Sequence, residues 1–169
     1  MVRKDEIKLL FDRLWPIHRS ITGEGNRQTL KILSELVPLK IHEVPSGKKL
    51  SGGWVVPKEW RVNHAYLVGP DGTKILDIKD NLLHLLNYST EYSGKVSFEE
   101  LDKHLFSRPD LPDAIPYVTS YYKDRWGFCL SHNSRLSLPK GDYQVEIDTE
   151  MIDGSLSFGE FVIPGESKK

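Results

Sequence analysis

A chain of 169 residues is long enough to bury a core without metals or disulfide staples, and length alone permits one domain or a compact domain with a small excursion. Lysine and arginine total 23 against 24 aspartates and glutamates, so the formal charge of -1 leaves no footprint for nucleic acid or an anionic membrane. The single Cys129 rules out an internal disulfide, a zinc knuckle and a redox cysteine pair, and it fits a reducing compartment.

Along the chain, Ile7, Leu10, Phe11, Leu14 and Trp15 recur at helical spacing up to Pro16, which predicts a first amphipathic helix. Asp12 and Arg13 interrupt it, so it is no signal peptide. No window approaches the roughly 18 uncharged apolar residues of a membrane span, and a cytoplasmic protein is expected. After Gly23-Glu24-Gly25, Leu30, Leu33, Leu36 and Val37 repeat at the same period, with Asn26 as a cap and Pro38 as a stop. Leu39 to Val44 alternates apolar and polar and reads as a strand.

From about Gly52 the pattern shifts to short apolar runs: Trp54 to Pro57, Ala65 to Val68 and Ile75 to Ile78. Gly69-Pro70-Asp71-Gly72 marks a hairpin between the last two. Ser97 and Glu100 have capping-box spacing and open a predicted helix to Phe106. Pro109, Pro112 and Pro116 enforce an extended connection. Strands follow at Gly127 to Leu130, Tyr143 to Ile147 and Leu156 to Ile163, with Asp153-Gly154 predicting another hairpin between the last two.

None of the six histidines, His18, His42, His64, His84, His104 and His132, lies in a recognised ligand spacing. No catalytic residue, metal ligand or cofactor is therefore assigned within this chain. Cys129 sits in an apolar run and reads as inert core filling. Pairing it with His132 as a nucleophile is the weaker alternative, because such pairs normally join distant segments. Two segments are unusually dense in functional side chains. Arg19 to Arg27 sets Arg19, Ser20, Thr22, Glu24 and Arg27 in a loop before a helix, where guanidinium and backbone N–H groups can hold a carboxylate or phosphate. The competing reading is an ordinary turn with a helix cap, which leaves the two arginines unexplained. Pro116 to Phe128 carries Tyr117, Tyr121, Tyr122, Arg125 and Trp126, residue types suited to a glycan, a peptide or a partner chain. The simpler reading has these rings plugging a small β core.

The runs Trp15-Pro16-Ile17-His18-Arg19-Ser20-Ile21-Thr22-Gly23-Glu24-Gly25, Trp54-Val55-Val56-Pro57-Lys58-Glu59-Trp60, Pro116-Tyr117-Val118-Thr119-Ser120-Tyr121-Tyr122 and Trp126-Gly127-Phe128-Cys129-Leu130-Ser131-His132 carry a resemblance. The chain resembles the N-terminal portion of a largely uncharacterised bacterial aminopeptidase-like family whose genes often accompany polysaccharide biosynthesis. The resemblance implies an α+β fold: a partial zinc-exopeptidase-like α/β core with an inserted small β-rich domain. Residues 1–46 would form the first part of the core, 47–139 the insertion and 140–169 the return strands, with the chain stopping before the family's metal motif. It further implies a truncated or non-catalytic relative of metallo-aminopeptidases. Zinc is expected only in full-length relatives, and unpartnered core strands would favour a homo-oligomer through an exposed core face or strand edge. A carbohydrate- or peptide-binding module built on 116–128 is the alternative.

Overall fold

The computed structural model describes residues 4–165 and mixes helix with strand, an α+β protein. The chain divides into two compact units. One comprises the residues up to Trp60 together with those from Met151 onward, and the other is the stretch Arg61–Glu150 between them.

In the first unit, the predicted opening helix forms as α1, Lys4–Leu14. The next helix, α2, covers Glu24–Leu33. It begins and ends earlier than the periodicity implies. Its N-cap is Gly23, whose φ of 92° strains any side-chain-bearing residue, and Asn26 instead lies in the first turn. There the Asn26 amide donates to the Ser157 carbonyl at 2.7 Å, a tertiary use that competes with capping. The predicted strand forms as β1, Lys40–Pro45. Trp54 to Pro57 is not a strand; it makes a single bridge, Lys49 to Val55.

The second unit has a four-stranded sheet built from β2 (Glu59–Val68), β3 (Lys74–Asp77), β4 (Tyr92–Ser97) and β7 (Asp142–Ile152), in the order β3-β2-β7-β4. The predicted hairpin joins β2 to β3, and its turn is closed by the Gly69 N–H to Thr73 carbonyl bond at 2.8 Å. Ser97 does cap as its spacing predicts, accepting from the Glu100 N–H at 3.3 Å. The helix it starts, α3, is only Phe98–Leu101. A 3-10 turn over Asp102–His104 follows, and the chain then enters the short strand β5, Leu105–Phe106. β5 pairs in parallel with β6, Phe128–Cys129, an association that cuts the helix short. A further helix, α4, covers His132–Leu136 and is capped by Ser131, which accepts from the Ser134 N–H. Arg135 on α4 donates to the Asp102 carboxylate at 2.8 Å, which holds that carboxyl below its usual range.

The last strand, β8, is Ser155–Glu160. Asp153-Gly154 does not make a hairpin between β7 and β8. β8 pairs antiparallel with β1, from Lys40 opposite Glu160 to Pro45 opposite Ser155, while β7 stays in the four-stranded sheet. Pairing across more than a hundred residues wins because β1 offers β8 a matched partner for each of its six residues.

Apolar burial is distributed unevenly. Leu67, Leu86, Leu101, Phe128, Leu130 and Ile147 are among the fully buried side chains of the second unit. Among the described residues of the first unit, only Ile17, Val56 and Trp60 are buried apolar side chains. Shaving Phe128 to alanine should therefore cost the second unit about 3–5 kcal/mol, the usual range for emptying a packed aromatic site, measurable as a lowered urea midpoint.

Candidate functional site

The Arg19 to Arg27 loop is built around a buried carboxylate. Glu59 keeps 8% of its side chain exposed and receives both arms of the Arg27 fork, at 2.6 Å and 3.1 Å. The Ser155 N–H, at the start of β8, donates to the same carboxylate at 2.8 Å. Arg27 also donates through Nε to Glu24 at 3.0 Å, so its planar donor set faces two carboxylates, which raise its pKa above the ordinary arginine value. Gly154 packs so closely that a methyl there would overlap the Glu59 carboxylate.

The other predicted residues of this loop have internal partners too. The Arg19 guanidinium donates at 2.6 Å to the Leu14 carbonyl at the end of α1, which also accepts the Ile17 N–H at 3.2 Å. Ser20 donates to the Thr22 carbonyl, and the buried Thr22 hydroxyl donates to the Lys58 carbonyl at 3.4 Å. His18 lies against Trp60 with ring centroids 5.2 Å apart, and burial lowers its pKa. Of the two readings of this segment, the turn now has roles for both arginines: one closes a helix end and the other holds a buried acid.

Tyr117, Tyr121, Tyr122, Arg125 and Trp126 lie in the second unit, where they serve different purposes. Trp126 stacks on the rings of His104, 3.7 Å away and nearly parallel, and Tyr92, 4.2 Å away. Nδ1–H of His104 donates to the Trp126 carbonyl at 3.0 Å, locking the stack. Arg125 donates to the Ser120 hydroxyl and the Thr119 carbonyl, each at 3.1 Å, and lies over the Phe106 ring. These two residues are committed to holding the loop. Tyr121 packs edge-on against Tyr88 and Tyr122. Tyr122 is 85% exposed, and Tyr117 also reaches solvent. Sequence reasoning missed Tyr88, which is buried with φ at 61°, a left-handed backbone that costs a non-glycine residue about 1–2 kcal/mol. Bonds from Asn87 N–H to the Val118 carbonyl and from Ser120 N–H to the Asn87 carbonyl hold that conformation.

Cys129 is buried, and burial pushes its thiol up to about 12, so it stays protonated at neutral pH. His132 bonds through Nδ1 with the Ser107 hydroxyl at 3.0 Å. A cysteine held in the thiol form does not supply the nucleophile that the alternative pairing needs. The imidazole of His64 lies 3.5 Å from Asp148 and 3.8 Å from Glu146. Among the described residues, no group of three or more His, Cys, Asp or Glu side chains is placed to hold a metal ion, so zinc finds no fitting donor set there. No helix among them is long and apolar enough to cross a membrane.

Residues 59–150 match the family described as Domain of unknown function (DUF2172), and the chain belongs to that family. Over 161 residues it is 46% identical to a Clostridium acetobutylicum protein provisionally named a polysaccharide biosynthesis protein with aminopeptidase-like domain. That match takes in 95% of this chain and 37% of the relative. A crystal structure of a provisionally assigned peptidase from the same organism, at 2.37 Å resolution, aligns with a TM-score of 0.88 and 45% identity. It covers 96% of this chain and 38% of that one. The chain thus spans well under half the length of the relatives it matches, and those relatives are peptidase-like.

Two measurements probe this anchor. Glu59→Ala strands Arg27 and the Ser155 N–H; because Arg27 keeps partial access to water, the expected loss is about 2–3 kcal/mol, below that for a fully buried pair. Gly154→Ala, which displaces the same carboxylate, should lower the urea midpoint in the same direction. The depressed pKa of His18 means that the unfolded chain takes up a proton more readily. Stability from this group is present above the ordinary value of about 6.5 and is lost as pH falls through the folded value. Melting scans between about pH 7.5 and about pH 5 should show a smaller drop for His18→Gln than for the parent chain.

Proposed function

We propose that this chain supplies a partial zinc-exopeptidase-like α/β core and an inserted β-rich domain to an aminopeptidase-like protein, and that it is non-catalytic by itself. In this reading α1, α2, β1 and β8 belong to the core. The β-rich stretch between them is an insertion that shapes access to a site or association with other chains. Hydrolysis of an aminoacyl bond would belong to the length of the relatives that this chain does not span.

The observation that carries the reading is the form of the first unit. Two strands, β1 and β8, make its sheet, and few apolar side chains are buried around them. A zinc hydrolase needs three or more protein ligands and an open water position on a rigid scaffold, and a two-stranded sheet is a poor platform for such a site. The names of the longer relatives support placing the chemistry in an aminopeptidase-like whole.

The test is direct. Purified chain, dialysed against zinc and then freed of excess metal, should retain no stoichiometric zinc by elemental analysis. It should also release no chromophore from aminoacyl p-nitroanilides. Stoichiometric zinc, or turnover by this chain alone that a chelator abolishes, would overturn the proposal.

A further inference from the structure

The four-stranded sheet ends on two strands of different character. A strand edge carries unpaired N–H and C=O groups, and proteins blunt such edges with short strands, charges, proline or bulges. At one edge, β3 is only Lys74–Asp77, its register against β2 slips between Leu67 and Val68, and Lys74 donates to Asp77 at 2.7 Å. β4, at the other edge, has fewer of these protections. Its six residues run against β7 in unbroken register, from Tyr92 opposite Ile147 to Ser97 opposite Asp142, with no proline among them. Among the described residues no other strand pairs with β4. Lys95 is its single charge, exposed and without an ion pair among those residues.

Side chains of directly paired residues share a face, and the faces alternate along each strand. Tyr92, Gly94 and Val96 lie opposite Ile147, Val145 and Tyr143, which are all buried, so these three face the core. Ser93 and Lys95 are exposed on the outer face. There Ser93 lies opposite Glu146 and donates to its Oε2 at 2.7 Å, which draws the acid towards the edge, while Oε1 lies 3.8 Å from His64.

These features fix how a second copy adds to the edge. A two-fold axis perpendicular to the sheet sets β4 antiparallel to itself, and a continuous sheet requires core-facing residues to meet core-facing residues. The axis must then pass through a residue pair. Centring it on Lys95 sets two ammonium groups opposite each other, and centring it nearer either end shortens the ladder. Centring it on Gly94 sets Ser93 opposite the second copy's Lys95, and Tyr92 opposite its Val96. Strands lie about 4.8 Å apart, so the second copy's Lys95 stands one strand beyond Ser93, and its four-carbon stem is long enough to bring the ammonium to the carboxylate that Ser93 holds. Symmetry makes this contact twice. Tyr92 opposite Val96 adds an aromatic and β-branched pair on the core side.

We propose that this chain forms a two-fold homodimer in which β4 pairs antiparallel with β4 of a second copy, centred on Gly94, joining two four-stranded sheets into one. Charge selects a second copy as the occupant: the edge presents both an unpaired ammonium and a carboxylate, in the register at which each copy answers the other. The interface is a short main-chain ladder with two ion pairs at its rim, so association is modest and salt-sensitive. This goes beyond the function proposed above and does not depend on it.

The test is sedimentation of the full chain over a concentration series, with hydrogen exchange of β4 read in parallel. The parent chain should pass from monomer to dimer. The β4 amides that β7 leaves unpaired should slow at least about tenfold across the series, while those of β3 stay unchanged. Lys95→Glu and Glu146→Lys, each alone, bring like charges together at both symmetric contacts and should weaken association at least about tenfold. A mixture of the two variants should dimerise as the parent does, because in the mixed pair one contact is the native one and the other is its reversal. Raising the salt concentration reads the same ion pairs in the unaltered chain, should either variant fail to fold. A parent chain that stays monomeric through the millimolar range would overturn the proposal. So would a dimer indifferent to salt and to both substitutions, folded variants that do not recover on mixing, or protection that appears outside β4.

Discussion

Glu59 gathers the first unit around a single carboxylate. Arg27, on α2, comes from 32 positions earlier, and the Ser155 N–H that starts β8 comes from 96 positions later. At an effective dielectric of about 20, opposite charges about 4 Å apart attract by about 4 kcal/mol before desolvation is subtracted. Desolvation is moderated here because Arg27 stays partly in water, and the acid's donors are two guanidinium N–H groups and a backbone amide. In a unit with few buried apolar side chains, a polar tie of this kind does work that a hydrophobic core would otherwise do. It also explains why Gly154 must be glycine although its backbone does not demand one.

The second unit is held by the opposite means. Alternate residues of β7, from Tyr143 through Val145 and Ile147 to Thr149, point inward, and Phe128, Cys129 and Leu130 are buried with them. The aromatic residues around 117–128 serve mostly as fittings to this core. Trp126 stacks on His104 and Tyr92, and the strained Tyr88 braces Tyr121. Only the outer tyrosines keep faces in water. The match to a family of unknown function covers this same stretch, residues 59–150.

Much of the local structure was legible in the sequence because it rests on local physics. The period of Ile7 to Trp15 makes α1, the alternation of Leu39 to Val44 makes β1, Gly-Pro-Asp-Gly turns β2 into β3, and Ser97 caps α3. The failures are non-local. α3 ends early because Leu105 and Phe106 join β6, and β8 leaves β7 for β1, more than a hundred residues earlier in the chain. β4 was overlooked because Tyr92-Ser-Gly-Lys-Val-Ser shows little alternation; its place beside β7 makes it a strand. The Arg19 to Arg27 loop drew notice for its density of polar groups, but the sequence gives no sign of the buried Glu59, whose carboxylate takes Arg27 in the fold.

The central claim is that one unit has its own core while the other is short of one, and native-state hydrogen exchange on the unmodified chain reads this directly. The account predicts that amides of β2, β6 and β7 between Arg61 and Glu150 exchange only through global unfolding of their unit. Those of β1 and β8 should open by a separate, lower-energy route. Equal protection of β1–β8 and the four-stranded sheet, with a common denaturant dependence, would contradict it.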